Sequence, residues 1–142
     1  MPEHWIRLRG GWEAVDFDDP LAVCVRMTLP MSWTGEEMRR LSLRRRFGRP
    51  VLDRQDESLW LRIDRASGLY RLTLNDRELP LATVASGPIE IPLGTLSDRN
   101  ELVLDVCFEP SAMAVEARTG GWGEIALLIR PRADEQDRPL AR

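Results

Sequence analysis

The chain has no lysine: each of its 20 basic side chains is an arginine. Arginine forks suit bidentate phosphate recognition. These arginines, however, are spread along the whole sequence, a pattern that fits GC-rich codon usage better than a site. With 23 acidic residues the net charge is −3, which argues against bulk attraction to nucleic acid or anionic lipid. Neither nucleic acid nor a membrane is therefore an expected partner. Histidine occurs once, as His4, so a histidine-rich zinc site is excluded and a histidine base nearly so. Only Cys24 and Cys107 occur, both inside apparent strands, with no Cys-x-x-Cys and no Cys/His cluster. They pair only if their strands are adjacent; two buried free thiols suit a cytosolic protein better. No apolar run approaches the roughly 20 residues that a bilayer-spanning helix needs. The opening MPEHWIRLRGGW has no basic start followed by an apolar core, so no secretory leader is expected and the cytoplasm is the default location.

What is abundant is alternation with a period of two. In SLWLRID, Leu59, Leu61 and Ile63 share one face while Trp60, Arg62 and Asp64 share the other. LYRLTLN sets Tyr70, Leu72 and Leu74 against Arg71 and Thr73. NELVLDVCF groups Leu102, Leu104, Val106 and Phe108. LAVCVRMTLP and EIALLIRP alternate in the same way, through Val23, Val25, Met27 and Leu29, and through Ile125, Leu127 and Ile129. These are half-buried strands of sheets with one wet face. The same rule resolves the arginine triplet in LSLRRRF. Leu41, Leu43, Arg45 and Phe47 fall on one face, and Ser42, Arg44 and Arg46 on the other. The triplet is a strand and not a phosphate clamp. Arg45, stranded on the apolar face, is expected to reach a carboxylate or the sheet edge, because an unpaired buried charge is costly.

Turn chemistry separates the strands. NDRELP after residue 74 predicts a tight Asn-Asp turn, and Gly10–Gly11 a possible hairpin closure. SGP at 86–88 and EPS at 109–111 read as loops. Helix signals are poor: TGEEMRRL allows a turn or two and LGTLSD a single helical turn. Eight or nine short strands with little helix predict an all-β, two-sheet antiparallel sandwich. The expected organisation is a single sandwich over 1–131, followed by a charged, proline-bearing tail over 132–142 that is expected to fray.

Five short motifs stand in one order along this pattern. They are Arg46, Phe47 and Pro50 at a strand end; Asn75 and Asp76 in a tight turn; Pro88 to Glu90; Asn100 to Leu102; and Gly120 to Ile125 leading into the last strand. Over roughly residues 20–131 they resemble the N-terminal sugar-binding domain of glycoside hydrolase family two, the family of β-galactosidases, β-glucuronidases and β-mannosidases. The resemblance implies a galactose-binding-like jelly roll. It also implies non-catalytic, weak saccharide binding, or an accessory role beside a separate glycoside hydrolase. Two features depart from the family pattern: Asp76 stands where glycine is usual, and MAVEARTGGWGEI lacks the acidic residue that some β-galactosidases use to touch the sugar. The family's catalytic glutamates sit in a barrel that 142 residues cannot contain.

No independent catalytic motif replaces them. There is no Gly-x-Ser-x-Gly elbow and no glycine-rich phosphate loop. Glu36 and Glu37 beside Trp33 form an acidic pair of the kind that is usually solvated. No catalytic residue, cofactor or metal is therefore expected; Asp16, Asp18 and Asp19 suggest part of a calcium loop but not a complete ligand set.

A saccharide site needs an exposed aromatic face flanked by polar groups. Trp122 and Trp33, on glycine-bearing loops, are the candidate platforms, with Arg118, Glu124, Glu116 and Glu36 as candidate hydroxyl contacts. Against this, Trp33 in the family setting packs on neighbouring structure, and the charges read equally well as plain surface. Trp60 projects from the polar side of its strand, whereas Trp5 and Trp12 read as staples for the N-terminal segment. The competing function is a structural or protein-interaction domain, acting through a homodimer or a partner hydrolase with no sugar contact.

Overall fold

The computed structural model describes residues 3–17, 19, 21, 24–32, 39–52, 57–81, 88–109 and 120–131. Ten strands occupy most of them: β1 (His4–Arg7), β2 (Trp12–Asp16), β3 (Val25–Met27), β4 (Arg39–Gly48), β5 (Glu57–Asp64), β6 (Leu69–Leu74), β7 (Arg77–Leu79), β8 (Ile89–Pro92), β9 (Arg99–Phe108) and β10 (Glu124–Pro131). All pairings are antiparallel. They build a four-stranded sheet in the order β1-β10-β5-β8 and a six-stranded sheet in the order β3-β2-β4-β9-β6-β7. The protein is the all-β sandwich that the alternation predicted, of the jelly-roll kind that the family resemblance implied.

The two inner faces supply the core. Leu59, Leu61 and Ile63 from β5, with Ile125, Leu127 and Ile129 from β10, come from one sheet. Leu41 and Leu43, Leu72 and Leu74, and Leu102, Leu104 and Val106 come from the other. Each fully buried leucine of this kind is worth about 1.5–3 kcal/mol of transfer free energy. The six-stranded sheet is centred on the long pair β4–β9, whose register runs from Arg39 opposite Phe108 to Gly48 opposite Arg99.

Several local expectations change. Gly10 and Gly11 do not close a hairpin, because β1 and β2 belong to different sheets; the chain crosses from one layer to the other there. Gly11 has φ +81° at this crossing. In β6 a bulge between Leu69 and Arg71 removes Tyr70 from the inner face; Leu69 takes the buried position and Tyr70 is exposed. LGTLSD forms no helical turn, and most of TGEEMRRL lies outside the described residues, its last residues entering β4. Cys24 precedes β3 and is exposed, whereas Cys107 is half-buried in β9; both are free thiols. The 132–142 tail lies outside the described residues.

The Asn-Asp turn holds as expected. Asn75 and Asp76 have φ of 52° and 67°, the left-handed pair that a two-residue hairpin requires. Asn75 also ties this turn to the neighbouring strand: its side-chain oxygen accepts from the Glu101 backbone N–H at 2.8 Å, and its amide donates to the Asn100 side chain at 2.9 Å. Asn100 is buried, and further bonds to Ser97 and to the Phe47 carbonyl satisfy it.

Arg45 is resolved differently from the expected ion pair. Its Nε donates to the Gly10 carbonyl at 2.6 Å, and Nη1 reaches the Arg46 carbonyl at 3.3 Å. The interlayer crossing thus presents a backbone oxygen where a carboxylate was expected. Burial lowers the Arg45 pKa from its ordinary value. On the opposite face of β4, Arg44 and Arg46 both approach Glu101, at 3.7 and 3.4 Å.

Gly68 makes the tightest glycine contact. It sits at φ +88°, and a Cβ there would run into the Cys107 carbonyl oxygen of β9. Gly68→Ala is expected to cost about 2–3 kcal/mol, through left-handed strain and a clash with backbone that cannot rotate away. Urea unfolding of the variant beside wild type measures it.

Candidate functional site

Of the site residues expected from sequence, the structure describes Trp122 and Glu124, and it separates them. Trp122 is fully buried. It forms an isolated bridge with Met31, its indole N–H donates to the Ser67 carbonyl at 2.9 Å, and its ring lies 6.5 Å from that of Phe108. A ring enclosed in this way has no face to offer a sugar, so the platform expected at Trp122 is corrected to a core bolt. The physical reason is Gly123, whose φ of +88° turns the chain so that the indole points inward. Glu124 begins β10 on the outer face of the four-stranded sheet, paired with Arg7 at 2.9 Å. Trp33, Glu36, Glu37, Glu116 and Arg118 lie outside the described residues, as does Asp18. Asp16 is paired with Arg39 at 3.5 Å, and an Asp19 carboxylate oxygen accepts from the Leu21 N–H at 3.1 Å.

The outer face that receives Glu124 is covered by its own side chains. Arg7 and Arg62 both sit 5.1 Å from the centre of the Trp5 ring, and Arg130 sits 4.9 Å from that of Trp60. Glu90 joins Arg62 at 3.3 Å to Arg130 at 3.0 Å, while Glu3 also pairs with Arg130. Desolvation works against the Arg130 charge, but hydrogen bonds and attraction from Glu90 and Glu3 outweigh it and raise its pKa. Beneath this lattice Ala126 and Leu128, which alternate outward, are nonetheless buried. The expectation that Trp5 staples the N-terminal segment is met on this face. Trp12 does so in the core, fully buried with its indole N–H on the Leu8 carbonyl at 2.8 Å.

A groove opens beside this face, at the end of the sandwich where β4 leaves for β5 and β8 leaves for β9. It encloses about 700 Å³, within the roughly 300–1,000 Å³ range of small-molecule clefts. One wall is Arg49 to Leu52, another is the start of β5 through Trp60, and the third is Pro92 with Gly94 to Leu96 and Asp98. The strand frame fixes the floor: Trp60 pairs with Pro92 across β5–β8, and the Leu93 N–H donates to the Leu59 carbonyl at 3.0 Å. Arg49 joins the two loops. Its guanidinium contacts Asp98 at 2.8 Å and the Leu96 carbonyl at 3.3 Å, while its backbone N–H donates to the Asp98 carbonyl at 3.1 Å. Trp60 is held from behind by Arg130, and its indole N–H donates to Ser58 Oγ at 3.0 Å. The lining therefore combines an indole and aliphatic carbons with a hydroxyl-bearing loop, a guanidinium and two carboxylates, Glu57 and Asp98. Among the described residues, no group of His, Cys, Asp and Glu is arranged to hold a metal ion.

Sequence reasoning marked Trp60 as lying on the polar side of its strand but did not gather the groove. Arg49, Ser58, Thr95 and Asp98 come from segments far apart in the chain, brought together only by the β5–β8 and β4–β9 pairings.

With this geometry in place, known structures give the class of fold: the sandwich is shared with one domain of much larger glycoside hydrolases. An FMN-binding β-glucuronidase from Faecalibacterium prausnitzii L2-6 matches over 91% of this chain and 23% of its own, with TM-score 0.68 at 15% identity. A β-glucuronidase from an uncultured Clostridium sp. matches over 92% and 29%, with TM-score 0.64 at 17% identity. The Bifidobacterium dentium β-glucuronidase, solved with coumarin-3-O-glucuronide, matches over 91% and 30%, with TM-score 0.64 at 15% identity. The chain thus spans less than a third of these enzymes. No protein-family model and no curated protein matches it by sequence.

Trp122→Ala is expected to destabilise the fold by about 3–5 kcal/mol, because it empties a fully buried core site. Thermal unfolding monitored by circular dichroism measures this. A variant with wild-type stability would contradict the core role assigned here.

Proposed function

We propose that this chain is a non-catalytic carbohydrate-binding domain, or an accessory domain beside a separately supplied glycoside hydrolase activity, and that its saccharide seat is the groove at Trp60. The observation that carries the reading is the lining of that groove. The Trp60 indole and the carbons of Pro50, Val51 and Pro92 suit the C–H faces of a sugar ring, and Ser58, Thr95, Arg49 and Asp98 supply donors and acceptors for hydroxyls. The likeness to one domain of several β-glucuronidases supports the same reading by analogy of fold, and fold by itself does not fix function. A groove of this openness, with its ion pair already satisfied, fits weak binding rather than tight capture.

The runner-up reading, a structural domain acting through a homodimer or a partner hydrolase, draws on one observation. Phe17, Leu21 and Val25 are exposed at or near β3, one of the two edge strands of the six-stranded sheet among the described residues.

A glycan array with wild type, Trp60→Ala and Thr95→Trp separates the two. Trp60 is half-buried on an outer face, so its loss spares the core, while Thr95→Trp fills the groove from an exposed loop. Saccharide binding that falls at least tenfold in both folded variants is the expected result. Binding unchanged in both would move the sugar site elsewhere, and no glycan bound by folded wild type would favour the interaction reading.

A further inference from the structure

A second depression, of about 690 Å³, is lined by Arg46, Phe47, Gly48, Asn75, Asp98, Arg99, Asn100 and Glu101. Asp98 lines both it and the Trp60 groove, so the two are neighbouring lobes that adjoin at Asp98, which Arg49 pairs. The lobes differ in charge. In the second, Asp98 is already neutralised by Arg49, and Glu101 is shared by Arg44 and Arg46. Arg99 is exposed and has no ion-pair partner among the described residues. The lining carries two arginines, Arg46 and Arg99, and two carboxylates, Asp98 and Glu101, whose charges are further offset by Arg49 and Arg44 just outside it. The cluster is thus locally positive on a chain whose net charge is −3. Asn75 and Asn100 fix the floor between the arginines through their mutual 2.9 Å hydrogen bond.

We propose that the two lobes together take an acidic oligosaccharide: one unit against Trp60 in the first lobe, and a carboxylate or sulfate substituent beside Arg99 and Arg46 in the second. This rests on the saccharide reading given above and extends it to a ligand class. The free guanidinium is the group that selects. A fork-shaped donor matches planar or tetrahedral oxyanions, and this one is solvent-exposed in the lining of the lobe. Because Arg99 is exposed, its contribution is modest and screened by salt.

The test is calorimetric titration of the full chain with three tetrasaccharides: neutral xylotetraose, tetragalacturonate, and a chondroitin sulfate tetrasaccharide. Wild type at low salt is expected to favour the acidic probes about threefold to fivefold over the neutral one, and to lose that margin in 0.5 M salt. Because both acidic probes carry carboxylates, preference for the chondroitin sulfate tetrasaccharide alone identifies sulfate as the recognised group. In R99Q the margin disappears while xylotetraose affinity stays at the wild-type value; R46Q, which leaves Arg99 in place, reduces it. Equal binding of neutral and acidic probes, or a margin untouched in the R46Q/R99Q double variant, overturns the acidic preference and leaves the saccharide reading standing. Binding of none of the three by folded protein counts against both.

Discussion

Face-to-face burial of two alternating sheets is the constraint on which everything else in this molecule rests. Each inner face is almost wholly leucine, isoleucine and valine, and neither sheet is stable without the other. Once the sheets are pressed together, whatever does not alternate must be accommodated at the layer crossings. Arg45 is the clearest case: an ion on the apolar face, it is satisfied because the chain crosses layers at Gly10 and leaves a carbonyl within 2.6 Å. The sheet edges and loop ends are left as the places where polar groups can converge without disturbing the core.

The alternation was legible because a half-buried strand writes its two environments into every second residue. The sandwich, its inner faces and the Asn75–Asp76 turn could all be read in that way. Features that depend on one residue out of phase could not. The Tyr70 bulge inserts a residue without altering local composition. Gly10–Gly11 looks like hairpin chemistry but serves a crossing, since a glycine pair announces freedom of φ and not its use. Trp122 carried the strongest loop signal in the sequence, glycines on either side, and that same freedom turns its ring inward.

The motifs that produced the family resemblance turn out to be architectural. Asn75 and Asn100 are bonded to one another and to the strands around them, Phe47 offers its carbonyl to Asn100, and Trp122 bolts the last strand to the loop at Ser67. In this chain they satisfy buried polar groups or fill core space. They mark the fold, and Arg46, Phe47, Asn75 and Asn100 line the second lobe as well. The groove residues have no such signature: Arg49, Thr95 and Asp98 are ordinary loop residues made significant by neighbours more than thirty positions distant.

The lattice on the outer face of the four-stranded sheet has a mechanical side. β1 is an edge strand of four residues, paired among the described residues only to β10, and Trp5, Arg7 and Glu3 extend its grip across to Arg62, Glu124 and Arg130. That short strand is thus the lid of an otherwise greasy stripe formed by Ala126 and Leu128. A proteolytic nick that removed it would uncover a ready template for another chain's backbone, beside apolar side chains with nothing over them. The N-terminal strand thus guards the molecule against self-association as much as it completes the sheet.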